Sequence, residues 1–120
     1  MNSVHDQLRA DVHRRAGVDL GTASIADLRR SEWSPEFEQL MRNRLAMGAM
    51  RYGRLHAVGK PAYDRVPSMA RRLQQYAETG NLELLVDVAN LCLLEFEEGE
   101  HPKRHFNAID DGEHVETKRT

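Results

Sequence analysis

The sequence predicts an all-α fold: a small helical bundle around an apolar central helix, completed by self-association. Three observations carry this. The stretch Asn81–Glu98 reads as a helix that is apolar nearly all the way round, from Leu82, Leu84, Leu85 and Val86 to Leu93, Leu94 and Phe96. A helix hydrophobic on every side is one that others wrap. Elsewhere apolar residues recur at helical spacing between helix start and stop signals, and no run alternates as a strand would. Finally, two further long helices would cover so apolar a helix poorly, so an oligomer, most simply a dimer, is expected to bury the rest.

Each element has its own signals. Ser3 with Asp6 is a capping-box-like start. Val4, Leu8 and Val12 then predict a short helix over Val4–Ala16, stopped by Gly17, with a thin apolar face suited to docking or swapping onto a neighbour. Ser24 with Asp27 starts a second short helix through Arg30. Ser34-Pro35 is an N-cap followed by proline at the first helical position. From Pro35 to Tyr52, Phe37, Leu40, Met41, Leu45, Gly48 and Tyr52 share one side, and Gly48 would admit another helix at close range. Gly53 ends this helix and a loop follows.

The next helix runs over Asp64–Glu78, with Pro67 tolerated in its first turn. Its expected buried side is Val66, Met69, Ala70, Leu73, Tyr76 and Ala77. Gly80 and Asn81 make a tight connection into the central helix, which Gly99 closes. His101-Pro102 opens one further short turn through Phe106, and Asp110-Asp111-Gly112 is a turn signal. The chain thus divides into short N-terminal helices (1–34), a helical core domain (35–112) and a polar flexible tail (113–120).

Of the 120 residues 30% are charged, yet the net charge is −2. That balance gives no reason to expect nucleic-acid or membrane partners. With no secretory segment and no apolar run of spanning length, a cytoplasmic protein is expected. The single cysteine, Cys92, rules out a disulfide framework and reads as a buried, inert thiol. Charge is segregated by sign: Arg42–Arg72 holds eight Lys/Arg against the single acid Asp64, and Glu78–Glu100 holds seven acids and no Lys or Arg. A basic surface is therefore expected to face an acidic one, within the chain or across an oligomer.

Three clusters are candidates for chemistry. Glu83, Asp87 and Asn90 fall at i, i+4 and i+7 on the apolar helix, one stripe that needs partners because a buried unpaired charge is costly. Glu83 and Asp87 would be half of a Mg²⁺ site, or else ion pairs with Arg44, Arg51 or Arg72; the ion pairs are the favoured reading. Arg44, Arg51, Tyr52 and Arg54 would make an anion pocket, with arginine forks on phosphate and a stacking face, unless the arginines serve the acids. Asn90 would add a polar contact to the ligand. His101 and His105, with Asp110, Asp111 and His114 nearby, have metal-ligand spacing, against a plainer reading as caps and surface residues. No Gly-rich phosphate loop is present, which argues against an ATPase or a dehydrogenase.

RNRLAMGAMRYG, the run from YDRVPSMARRLQQYAETGN through LVDVANLCLLEFEEGEHP, and HFNAIDDGEH together resemble a group of small helical proteins carried by bacteriophages and prophages, known mainly as open reading frames. The likeness covers about Phe37–His114. A more distant resemblance is to the MazG-like all-α nucleoside-triphosphate pyrophosphohydrolases, which also have an RYG helix end, a loop, and an acidic D-x-A-N helix. It implies that Glu83 and Asp87 stand where that superfamily's second helix holds Mg²⁺ over a nucleotide's phosphates. The first helix departs from the pattern. In place of a Glu-x-x-Glu pair it offers only Glu36 and Glu38, near its start.

The resemblances imply a protein of mobile-element type that binds a nucleotide-like or phosphate-bearing ligand on a MazG-like scaffold without catalysis, as in sequestering a signalling nucleotide. The alternatives are a Mg²⁺-dependent pyrophosphohydrolase and a non-enzymatic inhibitor of a host defence protein.

Overall fold

The computed structural model describes residues 23–108, and these are all-helical, with no strand among them. Four helices follow one another: α1 (Ile25–Ser31), α2 (Pro35–Tyr52), α3 (Arg65–Thr79) and α4 (Leu82–Glu98). The expected helix over Val4–Ala16 and the tail 113–120 lie outside the described residues.

Local chemistry sets the boundaries. Ser24 and Asp27 form a reciprocal capping box, each side chain bonding the other's backbone N–H at 3.1 and 3.2 Å. The Ser34 hydroxyl accepts from Phe37 N–H at 3.0 Å, with Pro35 opening α2 behind it. Gly80 takes the left-handed conformation after α3 (φ 70°), where its N–H closes onto the Tyr76 carbonyl at 2.8 Å. Asn81 then caps α4 through Glu83 N–H at 3.1 Å. At the far end of α4 the Arg104 guanidinium donates to the carbonyls of Phe96 and Gly99, covering orphan acceptors where the helix dipole is negative.

Helix α4 is central, as its composition predicts. Both α2 and α3 pack on it, α2 and α3 do not pack on each other, and α1 stands apart from the other three. The wrapping is thin. Val86 is the one buried apolar residue among those described, and the polar residues Arg65 and Asn90 are as deeply placed.

The inner side of α3 differs from the expected one. Arg65, Ser68, Met69, Arg72 and Tyr76 turn toward α4, while Val66, Ala70, Leu73 and Ala77 are exposed. The acids of α4 account for this: they hold Arg65 and Arg72 inward, which rotates the apolar stripe out. Cys92 is also exposed rather than buried, with its Sγ 3.4 Å from Met69 Sδ at the edge of the α3–α4 seam.

Candidate functional site

The carboxylate stripe of α4 meets cations from both neighbours. Arg44 Nη2 of α2 lies 2.9 Å from Glu83 Oε1 and 3.3 Å from Asp87 Oδ1. Arg72 Nε of α3 lies 3.9 Å from Asp87 Oδ2. Asp87 therefore ties both outer helices to the central one. One turn on, Asn90 Nδ2 donates to the Met41 carbonyl of α2 at 3.2 Å. Its other amide atom, Oδ1, is buried without a partner. Asn90 is only 7% exposed, so that carbonyl has little access to bulk water. Buried acceptors of this kind are uncommon, and leaving one unmade costs about 1–3 kcal/mol.

Above these residues α2 and α3 splay apart and leave a groove of about 640 Å³ with α4 as its floor. Arg44, Arg51, Tyr52, Arg72, Asp87 and Asn90 line it. Gly48 also lines it, and a Cβ there would meet nothing within 4 Å. Gly48 thus widens the groove and does not admit a neighbouring helix, because α3 never comes close to α2. Among the described residues neither Arg51 nor Arg54 forms an ion pair. Arg54 lies outside the groove lining. Glu83 lines a second hollow of about 470 Å³ on the other side of Arg44, with Glu36 and Phe37.

One end of the groove is closed by a charge cluster that sequence reasoning missed. Glu98 accepts from the His56 backbone N–H at 2.8 Å, from Lys60 Nζ at 3.0 Å and from Arg65 Nη2 at 3.2 Å. Arg65 Nη1 also reaches Glu95 Oε1 at 3.4 Å, and its guanidinium carbon lies 6.0 Å from the Tyr63 ring centre. Tyr63 stands edge-on to Tyr52, with ring centres 6.2 Å apart. The His56 N–H, followed by Lys60, holds the Glu98 carboxyl below the usual carboxylate range; desolvation works the other way and is outweighed. His56 itself sits at φ 62°, an uncommon conformation for a residue other than glycine. The signal for this cluster was the Glu95/Glu98 pair at i, i+3, but its partners lie thirty or more residues away.

Glu83 and Asp87 are both engaged by Arg44. Arg44 Nη2 occupies the place between them that a cation would take, and the described residues contain no group of three His, Cys, Asp or Glu side chains able to hold a metal. The His101/His105 pair is not on one helical face. A single turn follows His101, whose Nδ1 accepts from Lys103 N–H at 3.0 Å, and His105 Nδ1 lies 2.8 Å from the Lys103 carbonyl. Asp110, Asp111 and His114 lie outside the described residues.

Compared with known proteins, the chain matches no family model, no curated protein and no solved structure. Among the described residues no helix is long and apolar enough to cross a membrane.

Proposed function

We propose that the groove between α2 and α3 binds a nucleotide-like, phosphate-bearing small molecule and holds it without hydrolysis, so that the protein acts by sequestration. The observation that carries this reading is Asn90, a residue of the groove floor whose Oδ1 is buried without a hydrogen-bond partner. An amino or hydroxyl donor of a base or sugar would complete it once the amide turns toward the groove, and Arg51 on the wall supplies a fork for phosphate. Tyr52 offers a ring for stacking, and the volume falls within the 300–1,000 Å³ typical of ligand sites. Binding without hydrolysis is supported by Arg44 and Arg72, which pair with the carboxylates a metal would need.

The test is thermal denaturation of the purified protein against nucleoside mono-, di- and triphosphates and cyclic dinucleotides, with and without Mg²⁺, followed by analysis of the nucleotide. One class should raise the melting temperature saturably without Mg²⁺ and be recovered intact. Mg²⁺-dependent breakdown of a nucleoside triphosphate would favour a pyrophosphohydrolase instead. No shift at millimolar concentrations of any of them would remove the ligand reading.

A further inference from the structure

The α3–α4 hairpin has two sides of opposite character. The helices run antiparallel, since Arg65 reaches Glu95 and Glu98 while Arg72 reaches Asp87. Those ion pairs mark the seam on the groove side. The Met69–Cys92 contact marks it on the opposite side, where the exposed helix residues on either hand are uncharged.

On that outer side α3 presents Val66, Ala70, Leu73 and Ala77, all exposed, at i, i+4, i+7 and i+11. Beside them α4 presents Leu82, Leu85, Ala89, Cys92 and Phe96, at i, i+3, i+7, i+10 and i+14, of which Leu82 and Leu85 also line the hollow shared with Phe37 of α2. The α3 series repeats every 3.7 residues on average and the α4 series every 3.5, so each forms a stripe along its helix. Their large members remain substantially open: Val66 is 59%, Leu82 68% and Phe96 65% exposed. The small residues Ala70, Ala77 and Ala89 leave hollows between them into which a facing Leu or Phe fits.

We propose that this face is the interface of a homodimer, in which the α3–α4 hairpins of two copies pack across a two-fold axis as a four-helix bundle. A self-complementary patch is what such an axis requires, and alternating large and small positions on an uncharged surface provide it. The size is appropriate. Helices of 15 and 17 residues side by side make a face about 25 Å long and about 20 Å wide. In projection that is about 500 Å², and the relief of the side chains brings it toward the roughly 800 Å² per partner of a standard stable interface. The need is also plain, because the described residues bury one apolar residue between them. Residues 1–22 are the competing cover; their helical spacing aligns Val4, Leu8 and Val12, with Val18 and Leu20 following in the sequence. The inference does not depend on the nucleotide reading.

The experiment combines mass and thiol reactivity on the full chain. Light scattering from low to high micromolar protein should give twice the 13.7 kDa chain mass, with a melting temperature that rises with concentration. Cys92, open in the single chain, should react with a maleimide at least about tenfold more slowly in the native dimer than in urea. Ala70→Asp and Leu73→Glu should each abolish the dimer and release Cys92, whether or not the separated chain stays folded. Met50→Asp, on the 90% exposed outer side of α2, should change neither readout. A monomer mass for the wild type overturns the proposal, with a protected Cys92 then pointing to residues 1–22 as the cover. A dimer that survives Ala70→Asp and Leu73→Glu, with Cys92 still protected, places the interface elsewhere and overturns it equally.

Discussion

Lys60 Nζ stands 3.0 Å from each of the two carboxylate oxygens of Glu98. That bifurcated pair fixes the loop between α2 and α3 onto the last turn of α4, with Lys60 and Glu98 side chains only 15% and 10% exposed. Glu98→Gln keeps the shape and removes the charge, leaving Lys60 and Arg65 under-compensated. We expect a loss of about 2–3 kcal/mol in urea unfolding, toward the lower end for breaking a buried pair because water still reaches this one. An unchanged unfolding midpoint would show the cluster to be ornamental.

The same carboxylate gives the stability a pH dependence of known sign. Its folded pKa lies below its unfolded one, so the folded state releases this proton more readily. Its contribution is present above the unfolded pKa of about 4.3 and is lost as pH falls through the lower folded value. Wild type should therefore lose stability below about pH 5 more steeply than Glu98→Gln, and unfolding free energies measured from pH 6 to pH 3 on both proteins check this.

Asp87→Asn should destabilise by about 1–2 kcal/mol, since Arg44 and Arg72 lose a counter-charge while remaining partly solvated at 41% and 32% exposure. Millimolar Mg²⁺ should leave the wild-type melting temperature unchanged. If instead Mg²⁺ raises it and Asp87→Asn is at least as stable as wild type, the carboxylates form a metal site and not an ion-pair knot.

Asn90→Leu separates stability from binding. Leucine has a similar volume, and the change removes one hydrogen bond to Met41 together with one unmade acceptor. Stability should stay within about 1 kcal/mol of wild type, because removing an unsatisfied polar group offsets the lost bond. The thermal shift given by a bound nucleotide should disappear. Retention of the full shift would mean that the Asn90 carbonyl plays no part in recognition.

Gly53 and Gly80 both have positive φ, but they differ in what surrounds them. A Cβ at Gly80 would meet open space, so Gly80→Ala should cost about 1 kcal/mol for the left-handed backbone alone. At Gly53, φ 102° and ψ 155° lie in a region nearly reserved for glycine, and a Cβ would sit 3.4 Å from Lys60 Cγ. Gly53→Ala should cost more, about 2–3 kcal/mol, because the backbone itself is strained for any residue with a Cβ.

What the sequence made legible was local. Ser24 with Asp27, Ser34 with Pro35, and Gly80 with Asn81 act within four residues of themselves, so the helix limits follow from neighbours alone. The Asp87–Arg44 pair was also within reach, because a carboxylate on an apolar helix demands a cation and the acid-free stretch on α2 supplies one. The side of α3 that turns inward was not legible. Met69 and Tyr76 lie on one face with Arg65 and Arg72, Val66 and Leu73 on the next, and hydropathy alone favours the wrong one. Ion pairing of Arg65 across 30 and 33 residues decides it, and nothing in the spacing of α3 reports that. For the same reason Lys60, alone in a loop, gave no sign of being the partner of Glu98.

Because α2 and α3 touch α4 and never each other, the distance between them has no packed core to set it. The two helices are jaws, pinned together at one end by the Glu98 strap. A molecule lodged between Arg51 on one jaw and Arg72 on the other would act as a cross-link, and its arrival would register as rigidity before any large change of shape. Slowed amide hydrogen exchange along α2 would be the first sign of it.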